Sequence, residues 1–488
     1  MKFLHRRQIL RIAVGLSAGI AVLSPAGSAL AQSTNSPPPA PRRPNIIFIL
    51  ADDLGYGDLG CYGQTRIKTP NIDRMAAEGI RFTSFYAGST VCAPSRAALM
   101  LGKHTGHVNI RGNGQGLALQ PGEVTVARIL KESGYRTGLI GKWGLGDEGT
   151  TGVPDKQGFD EFLGYLNQTH AHDYYTDHLW RHDPSSGFDG QMPIGTAAAQ
   201  PRQYTHDLFT MAATNFVLNN KPEPFNKQRP FFLYLAYTIP HANNEVGRAT
   251  GNGMQVPSDE PYSGESWPPV EKNKAAMITR MDSDIGRLMD KLKQLKIEDN
   301  TVLFFTSDNG PHKEGGADPK FFNSAGPFRG IKRDLYEGGV RVPMIVRWPA
   351  RIKAGQVSDF VWANWDFLPT AADIAMTGSP TNIDGISVLP LLTGRTQTNR
   401  HEFLYWEFHE RGFQQAARLG EWKAVRPQAG EPLELFDLKT DPSEKKNVAP
   451  ENPGVVGKFE KYLKTARAES DRWPIKKPAE ARAGKKQG

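Results

Sequence analysis

Three short polar groups in this 488-residue sequence carry residue types that can do chemistry together: Asp52-Asp53, Asp308-Asn309 and Cys92-Ala93-Pro94-Ser95-Arg96. Three carboxylates and an amide are hard oxygen ligands, without a histidine or cysteine cluster, and suit Ca²⁺ ahead of Mg²⁺ rather than zinc or copper. Carboxylates converging in a cleft repel one another and need positive charge among them. A divalent ion supplies it and can polarise an oxyanion substrate. Pro94 fits the first helical position and Ala97 to Leu101 continue as helix formers, so Cys92 falls at a helix N-terminus, where free N–H groups attract anions, with Arg96 one turn on. A buried structural cysteine, or a disulfide to Cys61 in an oxidising compartment, is the alternative at this point.

The elements that must position these residues are legible as short continuous apolar runs alternating with helical patterns, the appearance of a parallel sheet buried on both faces. Strands are expected at 46–50, 137–140, 231–238, 302–306 and 344–347, and helices at 71–78, 94–101, 124–132, 205–218 and 272–295. Four of the strands lead directly into chemistry: Asp52-Asp53, Lys142, His241 and Asp308-Asn309. A single aspartate after a strand is an ordinary turn or cap residue. Four such groups on one rim, beyond the carboxyl ends of the strands where α/β sheets bind ligands, define a site. After Asp384 the pattern changes to short segments, 403–408, 422–425 and 433–437, read as a smaller antiparallel α+β unit. The expected organisation is a catalytic α/β domain over 45–384, a C-terminal subdomain over 385–474 and a flexible tail over 475–488.

Composition excludes several classes. With 39% hydrophobic and 23% charged residues the chain is neither disordered nor, with two cysteines, a disulfide scaffold. The net charge is +8, but residues 1–31 hold Lys2, Arg6, Arg7 and Arg11 with no acid, which leaves too weak an excess for a nucleic-acid partner. Those residues have the form of an export signal: a basic start, an apolar run over 12–23 and a small-x-small cleavage site at Ala29-Leu30-Ala31. Arg6-Arg7 resembles a twin-arginine signal. The run is too short for a membrane anchor, so the mature protein is expected to be periplasmic or secreted, preceded by a disordered lead-in over 32–44.

Cys92-x-Pro94-x-Arg96 resembles the signature of the type I sulfatase family, and Gly138-Leu139-Ile140-Gly141-Lys142-Trp143 resembles its second signature. The similarity extends through Ala51-Asp52-Asp53, Thr69-Pro70-Asn71, Pro240-His241, Ser307-Asp308-Asn309-Gly310 and Arg329-Gly330-Ile331-Lys332. It implies an alkaline-phosphatase-like, mostly parallel sheet sandwiched by helices, with a smaller C-terminal antiparallel domain. It further implies that Cys92 is oxidised by a formylglycine-generating enzyme and that Asp52, Asp53, Asp308 and Asn309 hold Ca²⁺ with the modified Cys92 close by. Arg96 would stabilise the aldehyde hydrate, and Lys142, His241 and Lys332 would hold sulfate oxygens or protonate the leaving alcohol. Such a hydrate carries two hydroxyls on one carbon: one attacks sulfur and expels the alcohol, and the other, deprotonated, eliminates sulfate and restores the aldehyde.

Similarity to arylsulfatase A-like and N-acetylgalactosamine-sulfatase-like members implies a sulfated carbohydrate substrate, with aryl sulfates as surrogates. The alternatives are a phosphodiester or phosphonate monoester hydrolase on the same fold, and a non-catalytic sulfated-glycan binder. The segment Tyr165 to Tyr175, with Trp406 and His409, offers residues for a sugar subsite. One departure stands out. Many members carry a histidine where this sequence has Gly144, and His172, then His170, are the candidates to fill that space and accept a proton.

Overall fold

The computed structural model describes residues 43–195 and 203–475. The expected export signal, most of the lead-in, and all of the tail but Ile475 lie outside the described residues. Ten strands form the main sheet, in the order Gln356–Ser358, Ile80–Phe82, Met344–Arg347, Thr301–Ser307, Asn45–Ala51, Phe231–Ala236, Arg136–Lys142, Glu161–Tyr165, His178–Asp183 and Phe188–Pro193. The five from Thr301–Ser307 to Glu161–Tyr165 run parallel. Alternation along the strands divides their side chains between two cores. Phe48, Phe232 and Phe304 pack with Phe367 and Leu368 on one face, and Ile49, Leu235 and Phe305 pack with Met281, Ile285 and Leu288 of helix Pro269–Gln294 on the other. Burial on both faces is the reason these strands are continuous apolar runs.

The flanks differ from the sequence expectation. Met344–Arg347 runs antiparallel to both of its neighbours, and the hairpin His178–Asp183 with Phe188–Pro193 is an antiparallel edge. The hairpin is only partly buried, so it lacks the apolar run that marks a central strand. Helix Cys92–Leu101 begins two residues before the expected start, with Val91 as its cap and Cys92 as its first residue. Pro94 is therefore third, still within the turn whose N–H groups have no intrahelical partner. Helix Val126–Glu132 starts later than expected because Thr125 caps it, accepting the Arg128 N–H at 3.1 Å.

A separate antiparallel sheet, Leu404–Phe408, Gln414–Leu419, Trp422–Arg426 and Glu434–Asp437, forms the C-terminal domain. Helix Pro453–Leu463 covers one face through Phe459 and Leu463. The other face, through Trp406, Val425 and Phe436, packs on Tyr86, Ala98 and Trp365 of the main body. Trp406 is fully buried and its indole N–H donates to Ala87 O at 2.9 Å, so it is a core residue of this joint rather than a platform for sugar.

Candidate active site

Ala51 and Ser307 pair across neighbouring parallel strands, so Asp52-Asp53 and Asp308-Asn309 leave the sheet side by side. Asp53 takes a left-handed backbone, φ 65°, an uncommon conformation for a residue with a side chain. Its N–H donates to Asp308 Oδ1 at 3.1 Å, and the next N–H, of Leu54, donates to Ser307 Oγ at 2.9 Å. Lys142, last residue of its strand, donates from Nζ to Asp52 Oδ2 at 2.7 Å. Lys332 donates from Nζ to Asp53 Oδ2 at 2.7 Å, to His241 Nε2 at 3.0 Å and to Glu314 Oε2 at 3.2 Å.

The helix beginning at Cys92 is buried along its whole length. Cys92 Sγ faces Asp52 Oδ1 at 3.4 Å, and Cys61 and Cys92 are both free, which removes the disulfide alternative. Arg96, four residues on and so on the same face of the helix, donates from Nε and Nη2 to Asp308 Oδ2 at 3.2 and 2.9 Å and from Nη1 to Lys142 O at 2.7 Å. One guanidinium thus ties the Cys92 helix to the ends of two strands.

Burial dominates the electrostatics. It works to raise the Asp52 carboxyl, but Lys142, helped by His241, Arg96 and Lys332, outweighs it and holds Asp52 well below the usual range. Asp308 goes the other way: burial and the charge of Asp52 push it to about 7 despite Arg96. Burial, then Lys332, lowers His241 to about 3. His241 is therefore neutral, with Nδ1–H donating to Ala242 O at 2.7 Å and Nε2 free to accept from Lys332. Burial and Asp52 push the Cys92 thiol well up, so the encoded cysteine is a poor thiolate nucleophile.

The donor set fits a hard divalent cation. Ligand atoms of Asp52, Asp53, Cys92 and His241 lie within 4.8 Å of one another. Asn309 donates from Nδ2 to Asp53 Oδ1 at 2.7 Å while its Oδ1 is buried without a hydrogen-bond partner. An orphaned amide oxygen beside three carboxylates is the kind of donor that suits a hard divalent cation. Asp53, His312 and Glu314 form a second close group, but its donors are committed. The two ring nitrogens of His312 engage Pro240 O and Glu314 N–H, and Glu314 binds Lys332 and Arg333.

Cys92, His241 and Lys332 open on a cavity of about 790 Å³. His172 lines it too, its ring stacked on His241 with centroids 4.8 Å apart and its Nδ1 3.1 Å from Glu245. His170 is not among the lining residues; it bonds Thr176, and its ring lies tilted against that of His178. The space beside Gly144 is filled by neither histidine: a Cβ there would collide with Gln168 Nε2, and Gly144 itself sits at φ 78°. Tyr165 and Tyr174 are buried beneath the site, and His409 turns to Glu407. Sequence reasoning missed Glu314, Arg333 and Glu410, which line the cavity, and named Gln168 only as part of the segment expected at a sugar subsite, not as the side chain beside Gly144. Glu314 and Arg333 carried a signal, since each lies next to or near a recognised group, whereas nothing local to Glu410 pointed to the site.

Comparison with known proteins agrees with this geometry. The family described as Sulfatase matches residues 44–377, and that described as N-sulphoglucosamine sulphohydrolase, C-terminal, matches residues 329–469. The chain is 31% identical to the N-acetylgalactosamine-6-O-sulfatase of Bacteroides thetaiotaomicron, over 87% of this chain and 93% of that protein. It is 33% identical to arylsulfatase A of Homo sapiens, over 85% of each. The solved structure of Ps i-CgsB in complex with k-i-k-neocarrahexaose superposes with a TM-score of 0.74 at 29% identity, covering 90% of this chain and 94% of that one. With its motifs at one rim of an α/β sheet and this likeness along most of its length, the chain belongs to the sulfatase family and is a sulfuric ester hydrolase.

Proposed function

We propose that the protein releases sulfate from a sulfated carbohydrate, using Cys92 oxidised to formylglycine as nucleophile and Ca²⁺ held by Asp52, Asp53, Asp308 and Asn309. The observation that carries this reading is the position of Cys92: first residue of a buried helix, at a cavity wall, 3.4 Å from Asp52 and one turn from Arg96. A thiol so placed is unreactive, and the oxidised, hydrated side chain has the hydroxyls the reaction needs. When bound, the cation supplies Lewis-acid polarisation of a sulfate oxygen and offsets the carboxylate repulsion.

The chain's own residues do the rest. Lys142 and Lys332 are held positive by the carboxylates they bond and would meet sulfate oxygens by exchanging some of those contacts. Arg96 keeps Asp308 and the Lys142 backbone fixed relative to the nucleophile. His241, neutral and anchored through Nδ1, accepts from Lys332 at Nε2 and so fixes the ammonium at the rim, where Lys332 itself is the group that can donate a proton to the leaving alcohol. Closure of the donors on His312 leaves one cation site at this rim among the described residues, which favours sulfate, with its lower charge, over phosphoryl chemistry.

A sugar is favoured by the cavity wall. Asn113, Gln115, Asp147, Asn167, Thr169 and Asn244 present amides, a carboxylate and a hydroxyl, and no aliphatic side chain or aromatic ring other than the two histidines lines it among the described residues. Such a wall matches hydroxyl groups and gives an aryl or steryl group little to pack against. No helix among the described residues is long and apolar enough to cross a membrane, and the N-terminal segment is read as an export signal, with the mature chain starting at Gln32. The test is peptide mass spectrometry at Cys92 after co-expression with a formylglycine-generating enzyme, joined to sulfate release from a panel of sulfated mono- and oligosaccharides. An aldehyde at Cys92 with turnover of at least one sugar is expected; an unmodified thiol, or turnover of aryl sulfates alone, overturns the reading.

A further inference from the structure

A second cavity, of about 550 Å³, adjoins the first and shares Glu314, Lys332, Arg333 and Glu410 with it. Its own additions include Lys313 and Arg411. The shared residues neutralise one another: Lys332 and Arg333 both bind Glu314, and Arg333 Nε donates to Glu410 Oε2 at 3.0 Å. Of the two additions, Lys313 is exposed and has no ion pair among the described residues, and Arg411, also exposed, pairs with Asp334 at 3.6 Å. The lining of this pocket therefore holds four cations, Lys313, Lys332, Arg333 and Arg411, against the two carboxylates of Glu314 and Glu410, an excess of positive charge that begins where the nucleophile cavity ends.

Arg333 forms the partition. It holds a left-handed backbone, φ 75°, with its N–H donating to Thr90 O at 3.0 Å, while the Lys332 N–H donates to Pro311 O at 2.9 Å. A side-chain-bearing residue in that conformation is strained, and the surrounding contacts maintain it. The effect is to send Lys332 and Arg333, neighbours in sequence, to different duties: Lys332 to Asp53 and His241, Arg333 to the wall between the two cavities.

We propose that Lys313 and Arg411, on the far side of the partition that Arg333 forms, make a second anion subsite, which receives an acidic group on the sugar adjacent to the one being desulfated. This deepens the proposed function and rests on it: the substrate is an oligosaccharide with negative charge on consecutive residues, either a second sulfate ester or a uronate carboxylate. Arginine and lysine at a half-open pocket recognise both groups through charge-assisted hydrogen bonds.

The test is calorimetric binding to full-length Cys92→Ala protein, in which turnover is blocked, of three disaccharides sharing one sulfate on the residue to be cleaved. The neighbouring residue is neutral in the first, a uronate in the second and sulfated in the third. The acidic neighbours are expected to bind tighter by about tenfold or more, and Lys313→Gln/Arg411→Gln in the same background is expected to collapse that ratio towards one. Whichever acidic probe shows the larger ratio identifies the group. A ratio near one in the parent protein, or a ratio that survives the double substitution, overturns the subsite. Sulfate release from the same three sugars by protein with oxidised Cys92 reports separately: release from none overturns the proposed function, and the binding ratio still decides the subsite.

Discussion

Asp308 makes the metal-free protein lose stability as the pH rises. Its carboxyl, buried and facing Asp52, ionises at about 7 in the folded chain against an ordinary 3.8, so the folded state keeps a proton that the unfolded chain releases. The contribution is whole below the unfolded value and lost by the folded one. Between pH 5 and pH 7.5 about two pH units of this shift are traversed, roughly 3 kcal/mol at about 1.4 kcal/mol per unit, and relaxation of the site reduces it. Urea unfolding of chelator-treated protein at the two pH values, beside Asp308→Asn, isolates the effect. The asparagine does not ionise, and one side of its amide must confront a donor, Asp53 N–H or the Arg96 guanidinium, so it carries a constant penalty without a pH slope. The stability of wild type relative to the variant is expected to fall by about 2–3 kcal/mol across this window. Ca²⁺ added at pH 7.5 is expected to restore it in wild type far more than in the variant, since the ionised carboxylate gains most from the cation. A difference that ignores pH, or an equal Ca²⁺ response in both proteins, refutes the reasoning.

Lys332→Met removes the ammonium shared by Asp53, His241 and Glu314, and kcat/KM for sulfate release is expected to drop by about 10²–10³; a loss below fivefold in steady-state assays contradicts its role as proton donor. His172→Ala strips the ring stacked on His241, and kcat is expected to fall roughly two- to tenfold with little change in KM. A change in KM alone would move His172 into substrate recognition. Gly144→Ala meets Gln168 and demands a left-handed backbone, so thermal unfolding is expected to show a loss of about 1–3 kcal/mol, partly recovered by adding Gln168→Ala. Unfolding indistinguishable from wild type would show that the loop relaxes freely.

The centre of the fold was legible because its physics is local. Strands buried on both faces are apolar at successive positions, as 46–51, 231–236 and 302–305 are within Asn45–Ala51, Phe231–Ala236 and Thr301–Ser307. The edges were not legible for the same reason. Phe188–Pro193 exposes alternate residues to water, and Ile80–Phe82 is three residues long; pairing with neighbours far along the chain, which no window of sequence contains, makes them strands. Met344–Arg347 has the apolar run of a central strand, and its antiparallel direction depends on where the preceding loop enters the sheet.

The site divides along a similar line. Asp52, Asp53, His241 and Asp308 each follow a strand and Lys142 ends one, so once the sheet is parallel their convergence follows from topology, and Cys92 with Arg96 follows from helical spacing. Gln168 shows where such reasoning stops. Gly144 announces an empty space, but what fills it is decided by the loop that passes over it, and two histidines in that loop look chemically better suited than a glutamine. The loop instead turns His170 to Thr176 and His172 onto His241, and sets Gln168 against Gly144. The void therefore holds a side chain that can donate and accept hydrogen bonds but does not titrate near neutral pH. If the oxidised Cys92 needs a base during sulfate elimination, that base must come from the carboxylates and His241 already at the rim, which puts the demand back on the residues the strands deliver.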